Sequence, residues 1–312
     1  MPESWSSKAI NTDEKKTAPT NRRPACLRTF YSACLDVNSL WLNQFSVSTS
    51  LPSTSGPAAD APKFDLRDKV ALVTGAGRGI GRGCALALAA AGADIILGLR
   101  DIKQDSGTIE AVAATGRHVF PVQLDITDRA QIKDAVAKSL SEFGRIDILV
   151  NNAGLGPPAA AENVTEADFD LTMSVNVKGT FFMSQEVGRV MLARKSGRIV
   201  NLSSQAGFIA LPTESIYCMS KAAIAHLTKC LAVEWGPHGI NVNAVAPTFI
   251  RTPGTVKWLQ DDTFRQDLLA RIPLGKVGDP IDVAGAVVFL CSPASAMITG
   301  TTLMIDGGWT AR

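Results

Sequence analysis

Residues 69–81 read KVALVTGAGRGIG. Val70 to Val73 are apolar without alternation, the pattern of a strand covered on both faces. Glycines follow at 75, 77, 79 and 81, and then an Ala/Leu-rich stretch runs to Gly92 as a helix would. Glycines here permit a tight turn and let the main chain approach a pyrophosphate, which rests on the partial positive charge of the helix N-terminus. Glycines alone often do no more than bend a chain. Between a strand and a helix they read as a dinucleotide site.

The alternation continues outward from that turn. Further strands are expected at 93–99 (ADIILGL), 118–125 (HVFPVQLD), 146–152 (IDILVNN), 197–204 (GRIVNLSS), 240–247 (INVNAVAP) and 300–306 (GTTLMID). Helices are expected at 129–143, as one long element around 168–194, and at 216–235. Apolar strands separated by helices mean a parallel sheet covered on each side, and right-handed crossovers make it doubly wound. The expected fold is therefore α/β, a Rossmann-type seven-stranded parallel sheet in one domain over residues 63–312. Periodicity does not give the strand order.

Composition bounds the function. Of 312 residues 46% are hydrophobic, mean hydropathy is +0.13, and the formal net charge of +2 argues for neither nucleic acid nor an anionic membrane as partner. No apolar run approaches the ~20 residues of a membrane-spanning helix. The six cysteines (26, 34, 84, 218, 230, 291) form no Cys-x-x-Cys pair and the three histidines are scattered, so no metal site is expected. Cys84 and Cys230 fall in apolar helical patterns and are expected in the core. This usage fits a reducing compartment, the cytoplasm. Residues 1–62 are rich in Ser, Thr, Pro and Asn and are expected to be disordered, Tyr31, Trp41 and Phe45 among them. A targeting peptide is the alternative, against which Glu3, Asp13 and Glu14 count, as does the missing apolar run of a secretory signal. A start assigned too far upstream would also explain this segment.

The spacing Thr74-Gly75-x-x-x-Gly79-Ile80-Gly81 resembles the cofactor turn of short-chain dehydrogenases/reductases. Asn151-Asn152-Ala153-Gly154, Ser204 and Tyr217-x-x-x-Lys221 follow in the order and spacing of that family, so the resemblance covers roughly residues 66–312. It implies a nicotinamide cofactor held by Gly75, Arg78, Gly79, Ile80 and Gly81, with Asp125 and Ile126 at the adenine. Asn152, Ala153 and Gly154 would line the cleft, and Tyr217, Lys221, Pro247, Thr248 and Ile250 would stand at the nicotinamide end. Asn152 also reads as an amide capping its turn, and both roles are compatible. Where the family commonly has Pro-Gly after the sixth strand, Pro247 is followed by Thr248, which puts that loop's conformation in doubt or gives the carboxamide a partner.

The end of the second strand bears on the choice of cofactor. An acidic residue there binds a ribose 2′-hydroxyl, and an Arg accommodates a 2′-phosphate. Leu99 holds the acidic position and Arg100 follows, with Arg78 able to add charge, which favours NADP(H). Asp101 keeps NAD(H) as the close alternative.

Tyr217 and Lys221 are four apart on one helix face. A free tyrosine, with a pKa of ~10, is a poor base at neutral pH, and lowering it by about three units takes ~4 kcal/mol. Lys221 and the oxidised nicotinamide are the expected sources. By the resemblance Tyr217 exchanges the proton of the carbonyl or alcohol oxygen, Ser204 stabilises that oxygen, and Lys221 holds the nicotinamide ribose. Asn176 would hold a water leading from Lys221 to solvent. Singly, a helix tyrosine is usually packing, Ser203-Ser204 a strand-end turn and Asn176 a helix kink; in this order they point to catalysis.

Substrate contacts are expected from Ser204, Gln205, Tyr217, the loops at Leu155-Gly156 and 205–213, and a lid at 252–272 with Trp258, Leu259 and Phe264. Arg251 is a candidate for a substrate carboxylate. The C-terminal half is most similar to bacterial sugar-acid and polyol dehydrogenases, of the gluconate and 2-keto-3-deoxygluconate type. Phe182-Met183-Ser184-Gln185, Arg271-Ile272-Pro273 and Asp306-Gly307-Gly308-Trp309 carry that likeness. Competing readings are a 3-oxoacyl-carrier-protein reductase, which calls for a basic patch, and a non-catalytic nucleotide-binding regulator, which would be expected to lack Tyr217 or Lys221. The resemblance also implies a homotetramer or homodimer formed through helices 168–194 and 216–235.

Overall fold

The computed structural model describes residues 63–105 and 107–311, and expectations placed on residues 1–62 lie outside them. The chain alternates β1 (Val70–Thr74), α1 (Gly79–Ala90), β2 (Asp94–Leu99), α2 (Thr108–Ala113), β3 (Val119–Gln123), α3 (Arg129–Phe143) and β4 (Ile148–Asn151). It continues through α4 (Glu166–Met173), α5 (Thr180–Arg194), β5 (Gly197–Leu202), α6 (Ser215–Trp235) and β6 (Ile240–Pro247). The last elements are α7 (Val256–Leu259), α8 (Asp262–Arg271), α9 (Pro280–Cys291) and β7 (Thr302–Ile305). All seven strands pair in parallel, in the order β3-β2-β1-β4-β5-β6-β7. The direction of winding reverses between β1 and β4, so a ligand crevice opens beyond their carboxyl ends.

Strand residues supply the two faces alternately. Ala71, Val73, Ile95, Leu97, Ile148 and Val150 pack with α1, α9 and Val112 of α2. Leu72, Ile96 and Leu149 face the other way, onto α3, α5 and α6. Pro121 sits in β3, which as an edge strand has one side free of the ladder and tolerates a missing donor.

Two departures from the sequence reading concern helices. The element expected over 168–194 is interrupted by a π-turn at Ser174–Gly179. A β-carbon on Gly179 would lie 2.8 Å from Ile126 Cγ1 and 2.9 Å from its carbonyl oxygen, so the helix changes pitch where it presses on the loop after β3. Helix α9 is an element the periodicity does not reveal. Pro280 at its N-terminus and the Asp282 carboxylate accepting the Asp279 N–H at 2.7 Å start it, and Pro280 packs against Gly83 of α1. Cys84 is in the core as expected, but Cys230 is exposed, on the outer face of α6.

Candidate active site

The glycine turn is built to bring main chain close to main chain. Gly75 and Gly79 have φ of +63° and +57°, conformations that side chains disfavour. A β-carbon on Gly81 would overlap the Gly75 carbonyl and the Asn152 amide. Asn152 Nδ2 donates to the carbonyls of Thr74 at 2.9 Å and Gly75 at 3.1 Å. Thr74 Oγ1 accepts the N–H groups of Asn152 and Ala153, both at 3.0 Å. The turn after β1 and the turn after β4 are thus one clasp, with the N-terminus of α1 opening beside it. This is a cradle that any side chain would fill.

At the far end of that cradle Arg78 and Arg100 are exposed, and Leu99 is buried. Asp101 is turned back on its own chain, its carboxylate accepting the Lys103 N–H at 3.0 Å as the cap of a short 3₁₀ turn. Asp125 Oδ1 accepts from the Thr127 N–H and hydroxyl at 2.9 and 2.7 Å, and Ile126 is buried against Gly179. Ile250 is 3% exposed, which leaves only its main chain for any ligand. Thr248, whose N–H donates to Ile305 O at 3.1 Å, has a buried hydroxyl with no partner among the described residues. An orphaned hydroxyl beside a cradle of bare main chain fits a dinucleotide, whose amide and phosphate groups can satisfy both.

Ser204, Tyr217 and Lys221 converge where β5 ends. Ser204 Oγ accepts the Ala206 N–H at 3.1 Å, donates to the Pro247 carbonyl at 3.4 Å, and lies close enough to the Tyr217 hydroxyl to favour its ionised form. Lys221 Nζ donates to Leu202 O at 2.7 Å and stands 5.5 Å from the centroid of the Tyr217 ring. Ser203 Oγ donates to Lys221 O at 2.9 Å, tying the strand to α6. Asn176, in the π-turn, spends its side chain on scaffolding: Oδ1 accepts the Leu155 N–H at 2.9 Å, and Nδ2 donates to Leu155 O at 2.7 Å and Ser220 Oγ at 2.9 Å.

The chain's own groups set the electrostatics at Tyr217 and Lys221. Burial pushes the Tyr217 phenol up to about 12, opposed by the Ser204 hydrogen bond and reinforced by the Glu214 charge. Burial also lowers Lys221 to about 8, with its amine committed to a carbonyl. In the chain by itself, desolvation outweighs the groups that favour the phenolate.

The substrate side differs in detail from the sequence reading. Gln205 is 1% exposed, its Oε1 without a partner among the described residues, so it sits in the wall and not at its surface. Arg251 is paired with Asp279 at 3.0 Å. It lines a cavity of about 270 Å³ under the lid helices with Leu259 and Arg265. Gly156 lies against Tyr217, where a β-carbon would come 2.5 Å from Cδ2. Glu214, one turn before Tyr217, escaped the sequence reading, in which it is one acid among many. So did a buried ladder: Asn151 Nδ2 donates to Ser184 Oγ and Asn201 Oδ1 at 2.8 and 2.9 Å, and Asn201 Nδ2 to Thr228 Oγ1 at 3.0 Å. It locks β4 and β5 to α5 and α6 beneath the site. Among the described residues no cluster of His, Cys, Asp or Glu could hold a metal, and no helix is long and apolar enough to cross a membrane.

Residues 75–310 match the family model described as enoyl-(acyl carrier protein) reductase, the C2 branch of the short-chain dehydrogenases. The NAD-dependent glycerol dehydrogenase of Listeria innocua is 43% identical over 250 residues, 80% of this chain and 96% of that protein. The 2-dehydro-3-deoxy-D-gluconate 5-dehydrogenase of Dickeya dadantii is 42% identical over 253 residues, 80% and 98% of the two chains. A gluconate 5-dehydrogenase from Burkholderia cenocepacia, solved in complex with NADP and tartrate, superposes with a TM-score of 0.78 at 35% identity, covering 80% of this chain and 98% of that one. The glycine clasp, the Ser204–Tyr217–Lys221 cluster and these matches agree, and the chain belongs to the short-chain dehydrogenase/reductase family.

Proposed function

We propose that the protein is an NADP(H)-favouring dehydrogenase/reductase of a secondary alcohol or ketone in a sugar acid or polyol, with NAD(H) as the alternative cofactor. The observation that carries this reading is the convergence of Ser204, Tyr217 and Lys221, the last one turn along the same helix, beside Gly154 and the glycine clasp. Gly75, Arg78, Gly79, Ile80 and Gly81 would hold the pyrophosphate. Arg100 would meet a 2′-phosphate, and Asp125 and Ile126 would border the adenine. Asn152, Ala153, Gly154, Lys221, Pro247 and Thr248 would line the nicotinamide half, with Ile250 contributing main chain. The bound nicotinamide supplies or accepts the hydride and, when oxidised, a positive charge that favours phenolate.

Tyr217 Oη then gives its proton to a carbonyl oxygen or takes one from an alcohol. Ser204 Oγ donates to the same oxygen and stabilises its developing charge. Lys221 Nζ would hold the ribose hydroxyls and pass the proton toward solvent. Because the Asn176 side chain is committed, a relay water would rest on its main-chain carbonyl in the π-turn. Residues 252–272 would close over the substrate. Exposed Phe169 and Leu171 of α4, Phe181 of α5 and Met219 and Val233 of α6 support assembly as a homodimer or homotetramer through those helices. The free thiols at 84, 218, 230 and 291 suit a reducing, cytoplasmic setting.

A panel of polyols and sugar acids, each with NAD⁺ and NADP⁺ and read as absorbance of the reduced cofactor, tests the reading. Tyr217→Phe should cut turnover on the best substrate by about 10²–10⁴-fold while cofactor binding survives. A mutant that kept half its activity would rule out this assignment of the acid/base.

A further inference from the structure

The end of β2 is where a dinucleotide fold commonly carries an acid, which accepts the 2′-hydroxyl of the adenosine ribose. Leu99 holds that place here, 3% exposed, with Cδ2 3.3 Å from where a β-carbon on Gly77 would lie. Asp101, two residues on, spends its carboxylate on the Lys103 N–H. The same loop has a further acid. Asp105 Oδ2 accepts the Thr108 and Ile109 N–H groups at 2.9 and 3.1 Å, and so caps α2. Its other oxygen, Oδ1, is buried without a hydrogen-bond partner among the described residues.

That oxygen faces the glycine turn. Oδ1 lies 3.9 Å from the place of the same β-carbon on Gly77, on the turn that Leu99 also borders. The placement is fastened, because Thr108 is fully buried and its Oγ1 donates to Gly77 O at 3.1 Å. One oxygen of Asp105 thus holds the helix while the other is carried to the edge of the dinucleotide cradle. A buried carboxylate oxygen without a donor costs free energy and calls for a donor from outside the chain. A ribose hydroxyl is a neutral donor and meets that need. A 2′-phosphate brings acceptors and negative charge, and would be repelled.

We propose that Asp105 is a specificity-determining residue for the cofactor: its free oxygen accepts the adenosine-ribose 2′-hydroxyl, and so admits NAD(H) to a site where Arg78 and Arg100 favour NADP(H). This inference rests on the dinucleotide reading above and assigns the part of it that takes NAD(H). Wild type, Asp105→Ser and Asp105→Asn are titrated by calorimetry with NADPH, NADH and an NADH analogue lacking the adenosine 2′-hydroxyl. Ser and Asn both keep an oxygen for the helix cap, and thermal melts confirm that each variant is folded. Wild type should bind the analogue about tenfold more weakly than NADH, the loss expected for one hydrogen bond to a charged group. Asp105→Ser should weaken NADH by a similar factor and leave the analogue nearly unchanged. Asp105→Asn, which can turn a donor to where Oδ1 stood, should tighten NADPH severalfold. The inference is overturned if folded Asp105→Ser keeps its NADH affinity, or loses affinity equally for NADH, the analogue and NADPH. Wild type that binds NADH and the analogue alike, or NADPH alone, overturns it without any variant; in each case the dinucleotide site stands. If wild type binds neither NADH nor NADPH, the dinucleotide reading falls as well.

Discussion

Glu214→Gln carries a prediction about stability that needs no substrate. Burial raises the Glu214 carboxyl from 4.5 to about 7. Between those values the folded protein holds a proton that the unfolded chain has released, so stability falls as pH rises through that window. The penalty is absent at pH 4 and complete above pH 7. At about 1.4 kcal/mol per tenfold change in proton affinity, the rise corresponds to at most about 3 kcal/mol. The side chain is only partly buried, and screening by water brings this to about 1–2 kcal/mol. Glutamine has the same shape and no charge, so it should remove the penalty.

The mutant should therefore be the more stable protein at pH 8 by about 1–2 kcal/mol, a Tm about 3–6 °C higher for a folded unit of this size. At pH 4.5 the two should melt together. Lys221, lowered to about 8 by its own burial, makes stability rise from about pH 8 as the unfolded chain keeps its proton longer, but it does so in both proteins and cancels in the difference. Melting curves by circular dichroism from pH 4.5 to 8 measure the effect. A Tm difference that is the same at both ends, or a mutant less stable at pH 8, would refute the claim that this carboxylate is held without a partner.

Three further substitutions probe the rest of the site. Gly156→Ala should lower kcat by about ten- to a hundredfold, because its β-carbon meets the Tyr217 ring at 2.5 Å and a displacement of about 1 Å at a reacting group has that scale; unchanged turnover would mean the loop yields instead. Gly81→Ala should abolish cofactor binding by calorimetry, since the added carbon overlaps the Gly75 carbonyl and parts the clasp; wild-type affinity would exclude the turn as the dinucleotide cradle. Arg100→Asp should weaken NADP(H) more than NAD(H), with a loss that shrinks as salt screens the contact beyond a Debye length of ~8 Å. If the cofactor ratio does not move, Arg100 points to solvent.

The features legible in the sequence were those fixed by short stretches of chain. Residues 69–92 declare a strand, a turn and a helix because three different local rules hold within one window. PIDVAGAVVFLC, the α9 helix, is apolar almost all round and carries no period to separate helix from strand. Its identity comes from burial against α1, which is a property of the fold. The break at Ser174–Gly179 depends on Gly179 meeting Ile126 from another loop, and no window that holds one of them shows the other. Glu214 reads in sequence as one more solvated acid. Only the assembled walls around Tyr217 show that water is partly excluded and that nothing answers its charge.

The same distinction explains the electrostatics of the tyrosine. Spacing placed a lysine within reach of it and suggested a phenol made acidic by that lysine together with an oxidised nicotinamide. Sequence spacing, however, reports proximity and not desolvation. In the folded protein Tyr217 is partly buried, the Glu214 carboxylate adds to the burden, and Lys221 has turned its amine to Leu202. By its own groups the protein thus makes Tyr217 a proton donor that stays protonated through the neutral range. Turning it into a base requires positive charge brought into the cleft beside it, and the glycine clasp is the part of the structure fitted to bring such a group there. Proton affinity at Tyr217 and occupancy of the clasp are coupled through that charge. Glu214 opposes it from the other side and hardly acts below pH 7, where it is mostly neutral.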